Sequence, residues 1–157
     1  MEINIRALRA GDTEKILVSW LEFCRSAARS DMRLKPDSAR VLRNWLHSRL
    51  REPASIGFVA EQDGVCVGFL IGRIDEWEST PPVLEPRRMG IIDAVYVDEH
   101  LRRAGIGARL VQYALEVMRE HNAVAVETIY DAWSDASAAL WRVAGFAPWM
   151  VHAYRTL

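Results

Sequence analysis

The chain has 157 residues, of which 50% are hydrophobic and 26% charged, a composition typical of one globular domain with a substantial core. Its formal net charge is -1, whereas nucleic-acid-binding proteins usually carry a marked basic excess, so we expect no nucleic-acid partner. No uncharged apolar run approaches the ~20 residues that cross a bilayer, and the charged residues near the start argue against a signal peptide. We therefore expect a single domain over residues 1–157, in the cytoplasm and without a membrane partner.

The cysteines and histidines give no indication of a metal site. Cys24 and Cys66 lie far apart in apolar surroundings, without the spacing of paired metal ligands, and reduced core thiols are the default interpretation. His47, His121 and His152 do not cluster with carboxylates or cysteines in the sequence. We therefore expect that the protein holds no metal.

The first third of the chain predicts a strand followed by two helices. Residues 2–8 alternate polar and apolar side chains, as a half-buried strand does. Asp12 is a plausible N-cap for a helix that reaches about Arg29. After Pro36, apolar residues at helical spacing predict a second helix that runs to about Arg51.

The middle of the chain predicts three strands and a long loop. Apolar side chains alternate over residues 56–71 on either side of Asp63-Gly64, a pattern typical of an antiparallel hairpin. Residues 75–88 hold three prolines and no clear period, so we expect a long exposed loop there. Residues 90–97 are largely apolar and β-prone, which favours a central strand buried on both faces.

The last third predicts a helix from Ile106 to about Glu120, a strand at 124–128, a short helix at 134–144 and a final strand at 149–154. The short helix should end at Gly145 and turn four side chains inward, those of Ala136, Ala139, Leu140 and Val143. The resulting order of elements is β, α, α, β, β, β, α, β, α, β. This order predicts a mixed sheet flanked by helices, of the α/β or α+β class.

The passage from the strand at 90–97 into the next helix has the pattern of an anion site. Residues 95–108 read Val-Tyr-Val-Asp-Glu-His-Leu-Arg-Arg-Ala-Gly-Ile-Gly-Ala. Unpaired N–H groups at a helix start, the helix dipole and glycines without a β-carbon all favour a bound phosphate. A dinucleotide fingerprint would need a third glycine where Leu110 stands, and no Gly-Lys-Ser/Thr follows, so two familiar nucleotide motifs are disfavoured. On the glycines alone, a purely structural turn is an equally good interpretation.

With its preceding strand, this segment resembles the cofactor-binding motif of the GNAT N-acetyltransferase superfamily, Arg/Gln-x-x-Gly-x-Gly/Ala, here at residues 102–107. Residues 5–12 are similar to the family's first strand and helix start. Residues 140–146, Leu-Trp-Arg-Val-Ala-Gly-Phe, are similar to its late Leu-Tyr-x-x-x-Gly-Phe. The resemblance implies a mostly antiparallel mixed sheet, flanked by helices, whose strands at 91–97 and 124–130 splay apart.

The resemblance also implies acetyl-CoA as the co-substrate. Its pantetheine arm would pair with the main chain of Val95, Tyr96 and Val97, and its pyrophosphate would lie on the turn that follows. The residues of that turn are Arg102, Arg103, Ala104, Gly105, Ile106, Gly107 and Ala108. Ser134 and Trp141 stand where the family has an asparagine and a tyrosine, and we count both as cofactor-binding residues.

Transfer of an acetyl group to an amine requires a base, stabilisation of an oxyanion and a proton for the leaving thiolate. Asp93 is our first candidate for the base and Glu127 the second, and the alternative interpretation of each is a strand carboxylate satisfied by neighbouring backbone. Trp141 cannot donate a proton as the family's tyrosine does. Tyr130 is therefore a further catalytic candidate, with a place in the core or the cleft wall as the alternative.

The sequence thus predicts an acetyl-CoA-dependent N-acetyltransferase that acts on a primary amine of a small molecule or a protein. The alternative is a catalytically silent CoA-binding or protein-interaction module, and transfer of a longer acyl group also stays open. The loop at 75–88 carries acidic residues and a tryptophan, which would suit a cationic amine or simply solvent. Trp133, Trp141 and Trp149 are candidates to line either a cleft or the surface of a homodimer.

Overall fold

The computed structural model describes residues 2–27 and 32–156. Within these residues the chain forms five strands: β1 (Asn4–Ala7), β2 (Ser55–Gln62), β3 (Val65–Trp77), β4 (Arg87–Val97) and β5 (Ala125–Thr128). It also forms four α-helices: α1 (Thr13–Ala27), α2 (Ser38–Arg49), α3 (Ile106–Glu120) and α4 (Asp135–Val143). None of the described helices has the length and apolarity that crossing a membrane requires.

The strands form one sheet in the order β1-β2-β3-β4-β5. The first three pairings are antiparallel, whereas β4 and β5 are parallel because α3 carries the chain back along the sheet between them. Asp63 and Gly64 turn the β2–β3 hairpin with φ angles of 50° and 80°, the left-handed conformations that a two-residue hairpin turn favours. The predicted mixed, mostly antiparallel sheet flanked by helices is confirmed.

Helices cover both faces of the sheet, and each face has its own apolar core. On the face under α3 and α4, Leu110 belongs to the same buried cluster as Ile92 of β4. On the face under α1 and α2, Ile16 and Leu46 belong to the same buried cluster as Phe69 of β3. We call these the α3 face and the α1 face.

The sequence of α3 explains why this helix is firmly seated. Ile106, Leu110, Ala114 and Met118 recur every four residues and are each 2% exposed or less, so they form one apolar stripe. Burying a large side chain of this kind contributes roughly 1.5–3 kcal/mol. The stripe therefore fixes the first turn of α3 in relation to the sheet.

Strands β4 and β5 separate part of the way along β4. The pairs from Met89–Ala125 to Ile92–Thr128 join the two strands, whereas residues 94–97 pair only with β3 among the described residues. At the same point the register between β3 and β4 shifts, because Ile71 lies opposite Ala94 while Gly72 lies opposite Ile92. Asp93 is therefore the extra residue of a β-bulge, a feature that bends a strand and re-aims a side chain. This separation is the predicted splay.

The loop predicted at 75–88 is shorter than the sequence indicates. β3 continues to Trp77 and β4 begins at Arg87, so residues 78–86 form the connection. Trp77 and Arg87 lie opposite each other, and the Arg87 guanidinium is 4.8 Å from the centroid of the Trp77 ring. This cation–π contact extends the hairpin into a region whose polar composition is typical of a loop.

Two predictions for the last part of the chain are wrong. Residues 149–154 form no strand; the Trp149 ring packs against Trp77 instead, with 5.6 Å between the ring centroids. Helix α4 exposes Ala136, Ala139 and Val143, because the larger Trp141 is only 5% exposed and determines which face turns inward.

The predicted helix ends differ from the observed ones by a few residues. The second helix ends at Arg49 rather than near Arg51. The predicted end of the first helix, near Arg29, lies outside the described residues.

Candidate active site

The turn between β4 and α3 is set by two left-handed residues. A 3-10 turn at Glu99–Leu101 leads into Arg103, with φ of 65°, and Gly105, with φ of 76°. Gly105 is the N-cap of α3, and among the described residues nothing lies within 4 Å of where its β-carbon would be. The glycine therefore supplies a backbone conformation that side chains disfavour, next to open space.

The first turn of α3 presents free main-chain donors. The backbone ladder of the helix begins with the N–H of Arg109, which donates to the carbonyl of Gly105 at 3.0 Å. The N–H groups of Ile106, Gly107 and Ala108 come before that bond, so they have no acceptor within the described helix. Together with the positive end of the helix dipole, three such groups form a cradle for an anion.

Gly107 allows close packing, whereas Gly105 supplies a left-handed backbone conformation. A β-carbon at Gly107 would lie 3.4 Å from Cδ1 of Leu140 and 3.7 Å from Cγ2 of Val97. These are ordinary contact distances, so the small residue lets the start of α3 pack closely against α4 and β4. The expectation that both glycines open the way for a phosphate thus fits Gly105 better than Gly107.

The edge of β4 beyond the bulge faces the opening between β4 and β5. Val95 and Val97 pack on the α3 face, while Tyr96 lies on the α1 face, stacked on Phe69 with 5.4 Å between ring centroids. The Nε of Arg102 donates to the carbonyl of Val97 at 3.2 Å. The arginine therefore ties the end of the strand to the turn that carries the anion cradle.

Asp93 forms an ion pair with the neighbouring strand. The guanidinium of Arg73 on β3 donates to Oδ1 of Asp93. Oδ2 of Asp93 is buried and has no hydrogen-bond partner among the described residues. Burial lowers the pKa of Arg73, but its interactions with Asp93 and Asp75 together outweigh this and raise the pKa overall.

Glu127 lies near this pair on the same face. Residues opposite each other in neighbouring strands place Arg73, Ile91 and Glu127 in one row across β3, β4 and β5. Arg73 and Glu127 are therefore roughly 10 Å apart at their backbones, which is two inter-strand spacings. Glu127 is half-buried, so the fork between β4 and β5 has a second carboxylate available.

The remaining predicted site residues lie around α4. Ser134 is the N-cap of this helix, and its Oγ accepts from the N–H of Ser137 at 3.2 Å. Trp141 is a core residue that packs edge-on against Phe146 at 5.0 Å. Tyr130 is 38% exposed, and its ring centroid lies 6.3 Å from that of Trp141. A tyrosine from the segment after β5 thus stands beside the buried tryptophan.

The sequence did not single out Arg73. The feature that could have identified it is its place as an arginine inside the otherwise apolar run from Val65 to Ile74, because a charged residue in a central strand needs a partner. Its partner was hidden because the bulge at Asp93 shifts the register of β3 and β4.

Two clefts of the described residues lie away from the groove between β4 and β5. Both are lined by residues 55–57 of β2. Neither is lined by Asp93 or by the turn before α3. Within the described residues, histidine, cysteine and carboxylate side chains form no group that would hold a metal ion.

Comparison with known sequences identifies one family. The model of the acetyltransferase (GNAT) family matches residues 17–146, which include the anion cradle, Asp93 and Tyr130. No curated protein matches the chain in sequence.

Solved structures share the fold at low sequence identity. An aminoglycoside 6'-N-acetyltransferase from Acinetobacter haemolyticus is 18% identical, with a TM-score of 0.75 over 98% of this chain and 97% of that chain. An aminoglycoside N-acetyltransferase in complex with CoA is 15% identical, with a TM-score of 0.76 over 99% and 95%. An aminoglycoside acetyltransferase from an uncultured soil metagenomic sample, in complex with sisomicin, is 22% identical, with a TM-score of 0.70 over 99% and 96%.

Proposed function

Because the chain belongs to the acetyltransferase (GNAT) family, whose members use acetyl-CoA, we propose that it transfers the acetyl group of acetyl-CoA to a primary amine of a small cationic molecule. The observation that carries the proposal is the set of free N–H groups at Ile106, Gly107 and Ala108, beside the unpaired edge of β4. Two of the structurally similar acetyltransferases were solved in complex with a ligand, one with CoA and one with sisomicin. These neighbours support a small-molecule acceptor over a protein.

The residues present fit the chemistry of CoA. The cradle at the start of α3 suits a diphosphate, and the exposed Arg102 and Arg103 add positive charge beside it. On the side of β5, the main-chain groups of Val95 and the N–H of Val97 are unpaired among the described residues and suit the amides of a pantetheine arm, whereas the alternation of the β3–β4 ladder turns the main-chain groups of Tyr96 toward β3. We assign these residues to the co-substrate.

Acetyl-CoA, when bound, supplies an activated thioester carbonyl that accepts the amine nitrogen as the CoA thiol leaves. The protein must then hold the amine, remove its proton and orient its nitrogen toward the thioester carbonyl. Asp93 lies at the fork of the sheet, and its free Oδ2 is the first candidate to take a proton from the acceptor ammonium, directly or through water. Glu127 is the second candidate, from the facing strand.

Tyr130 is the candidate to donate a proton to the leaving thiolate. Trp141 occupies the helix position where the family has a tyrosine, and its indole is buried in the core. The Tyr130 ring lies next to that indole and is partly exposed. We propose that its hydroxyl supplies the proton that the missing tyrosine would otherwise donate.

The cofactor assignment is tested with a pair of glycine variants. Gly105 and Gly64 both have positive φ and open space around the missing β-carbon, so Gly105→Asp and Gly64→Asp introduce similar backbone strain. Thermal unfolding is measured with increasing acetyl-CoA, which stabilises a protein that binds it. The wild type and Gly64→Asp should gain stability with ligand concentration, whereas Gly105→Asp should not.

Catalysis is tested by thiol release with sisomicin and spermidine as acceptors. We expect turnover in the wild type and a loss in Asp93→Asn, with stabilisation by acetyl-CoA unchanged. Full activity of Asp93→Asn would remove the assignment of the base. Stabilisation without turnover of either amine would favour a silent CoA-binding module, and no stabilisation at millimolar acetyl-CoA would contradict the proposal as a whole.

A further inference from the structure

Arg73 is a charged residue in the middle of the sheet, where a strand normally carries apolar side chains. Its neighbours along β3, Gly72 and Ile74, are buried, and the side chain of Arg73 is itself only 27% exposed. Partly buried ion pairs often fail to repay their loss of hydration, so a pair at such a place calls for a role beyond stability.

The two carboxylate oxygens of Asp93 have different hydrogen-bond partners. Arg73 engages Oδ1 of Asp93, while Oδ2 remains buried without a partner among the described residues. A buried acceptor without a donor costs free energy, which a donor on a bound molecule would recover. Asp93 also follows directly after the last residue of β4 that pairs with β5. The unsatisfied oxygen thus belongs to the residue at the vertex of the fork.

Arg73 has a second carboxylate within reach. Its Nε lies 3.7 Å from Oδ2 of Asp75, whose side chain is 57% exposed. The Asp75 carboxylate therefore adds a longer charge contact beside the guanidinium, whose orientation is set by its hydrogen bond to Asp93. Lysine has one point charge and could not hold both partners in the same way.

We infer that Arg73 is a positioning residue for the acceptor amine: by binding Oδ1 of Asp93 it fixes the carboxylate so that Oδ2 receives the N–H group of the acceptor. This inference rests on the proposed function. It adds a residue of β3 to a site otherwise built from β4, β5 and the turn before α3. Arg73 acts through Asp93 and does not itself touch the acceptor.

The test uses steady-state kinetics on Arg73→Gln, Arg73→Lys, Asp93→Asn and the double variant Arg73→Gln/Asp93→Asn, with sisomicin and spermidine as acceptors. Arg73→Gln should lower kcat/KM for the acceptor by about tenfold to a hundredfold. The KM for acetyl-CoA and the thermal stabilisation by acetyl-CoA should stay as in the wild type. Arg73→Lys should recover part of the loss, because it restores the positive charge without the fixed donor geometry of the guanidinium.

The double variant separates a positioning role from a general loss of structure. If Arg73 acts through Asp93, adding Arg73→Gln to Asp93→Asn should lower kcat/KM for the acceptor little further. Arg88→Gln is the matched control, because it deletes an exposed arginine that pairs with Glu76 at 3.3 Å on the same two strands, and its kinetics should be unchanged.

Three outcomes would count against the inference. Unchanged acceptor kinetics in Arg73→Gln would overturn it while leaving the proposed function intact. An equal loss from Arg73→Gln in the wild type and in Asp93→Asn would also overturn it, because the two residues would then act independently. A wild type that acetyl-CoA stabilises but that turns over neither amine would overturn the proposed function, and this inference with it.

Discussion

Two alanine substitutions placed two residues apart should have opposite effects on stability. Gly105 has a φ of 76°, and the left-handed conformation costs a residue with a β-carbon roughly 1–2 kcal/mol. Gly107 lies in the first turn of α3, where alanine is favoured over glycine by up to about 1 kcal/mol. Its new β-carbon would be 3.4 Å from Leu140, an ordinary contact. Gly107→Ala should therefore be about 1–3 kcal/mol more stable than Gly105→Ala.

The measurement is urea unfolding at one pH, with binding of acetyl-CoA followed by calorimetry. Gly107→Ala should bind the ligand as the wild type does, because its β-carbon points to Leu140 and Val97. Gly107→Leu should lose stability by ~1–3 kcal/mol through overpacking at the same contact. A Gly107→Ala protein of full stability that has lost its affinity for acetyl-CoA would refute the reasoning, because the glycine would then face the ligand.

Three further predictions concern residues outside the cradle. Hydrogen bonds from Arg6 lower the pKa of Asp12 below its ordinary 3.8, so the unfolded chain takes up the proton first as the pH falls. Stability from this pair is complete above about pH 5 and is lost as the pH falls below 4; Asp12→Asn should flatten the free energy of unfolding measured over this range. Trp141→Ala should cost about 3–5 kcal/mol in urea unfolding, and a loss of acetyl-CoA affinity without that cost would contradict its place in the core. Tyr130→Phe should lower kcat by at least about tenfold at unchanged stability, and an unchanged kcat would exclude the hydroxyl as proton donor.

The sequence was most informative where one local rule decides the structure. Helix α3 was predictable because its apolar stripe repeats regularly from Ile106 to Met118 and a glycine stands before it. The hairpin at Asp63-Gly64 was equally clear, because the turn type demands those residues. The parallel pairing of β4 with β5 then followed from the helix between them.

The sequence was least informative where the outcome depends on distant partners. The inward face of α4 depends on where Trp141 finds its contacts with Phe146, and small alanines at helical spacing gave the wrong face. The last strand failed because the Trp149 ring packs on Trp77, a contact between segments far apart in the chain. Asp93 lay in a predicted strand, but Arg73 lies beyond the predicted hairpin at 56–71, and the bulge that brings the two residues together appears only in the register of β3 and β4.

The central claim is that main-chain N–H groups at the start of α3 bind the diphosphate of CoA, and amide hydrogen exchange tests it residue by residue. In the free protein, the N–H groups of Ile106, Gly107 and Ala108 should exchange rapidly, and addition of CoA should slow all three. The N–H groups of Val95 and Val97, which face β5, should slow as well. Amides at 106–108 that are already protected without CoA, or that stay unprotected when CoA is bound, would contradict the account.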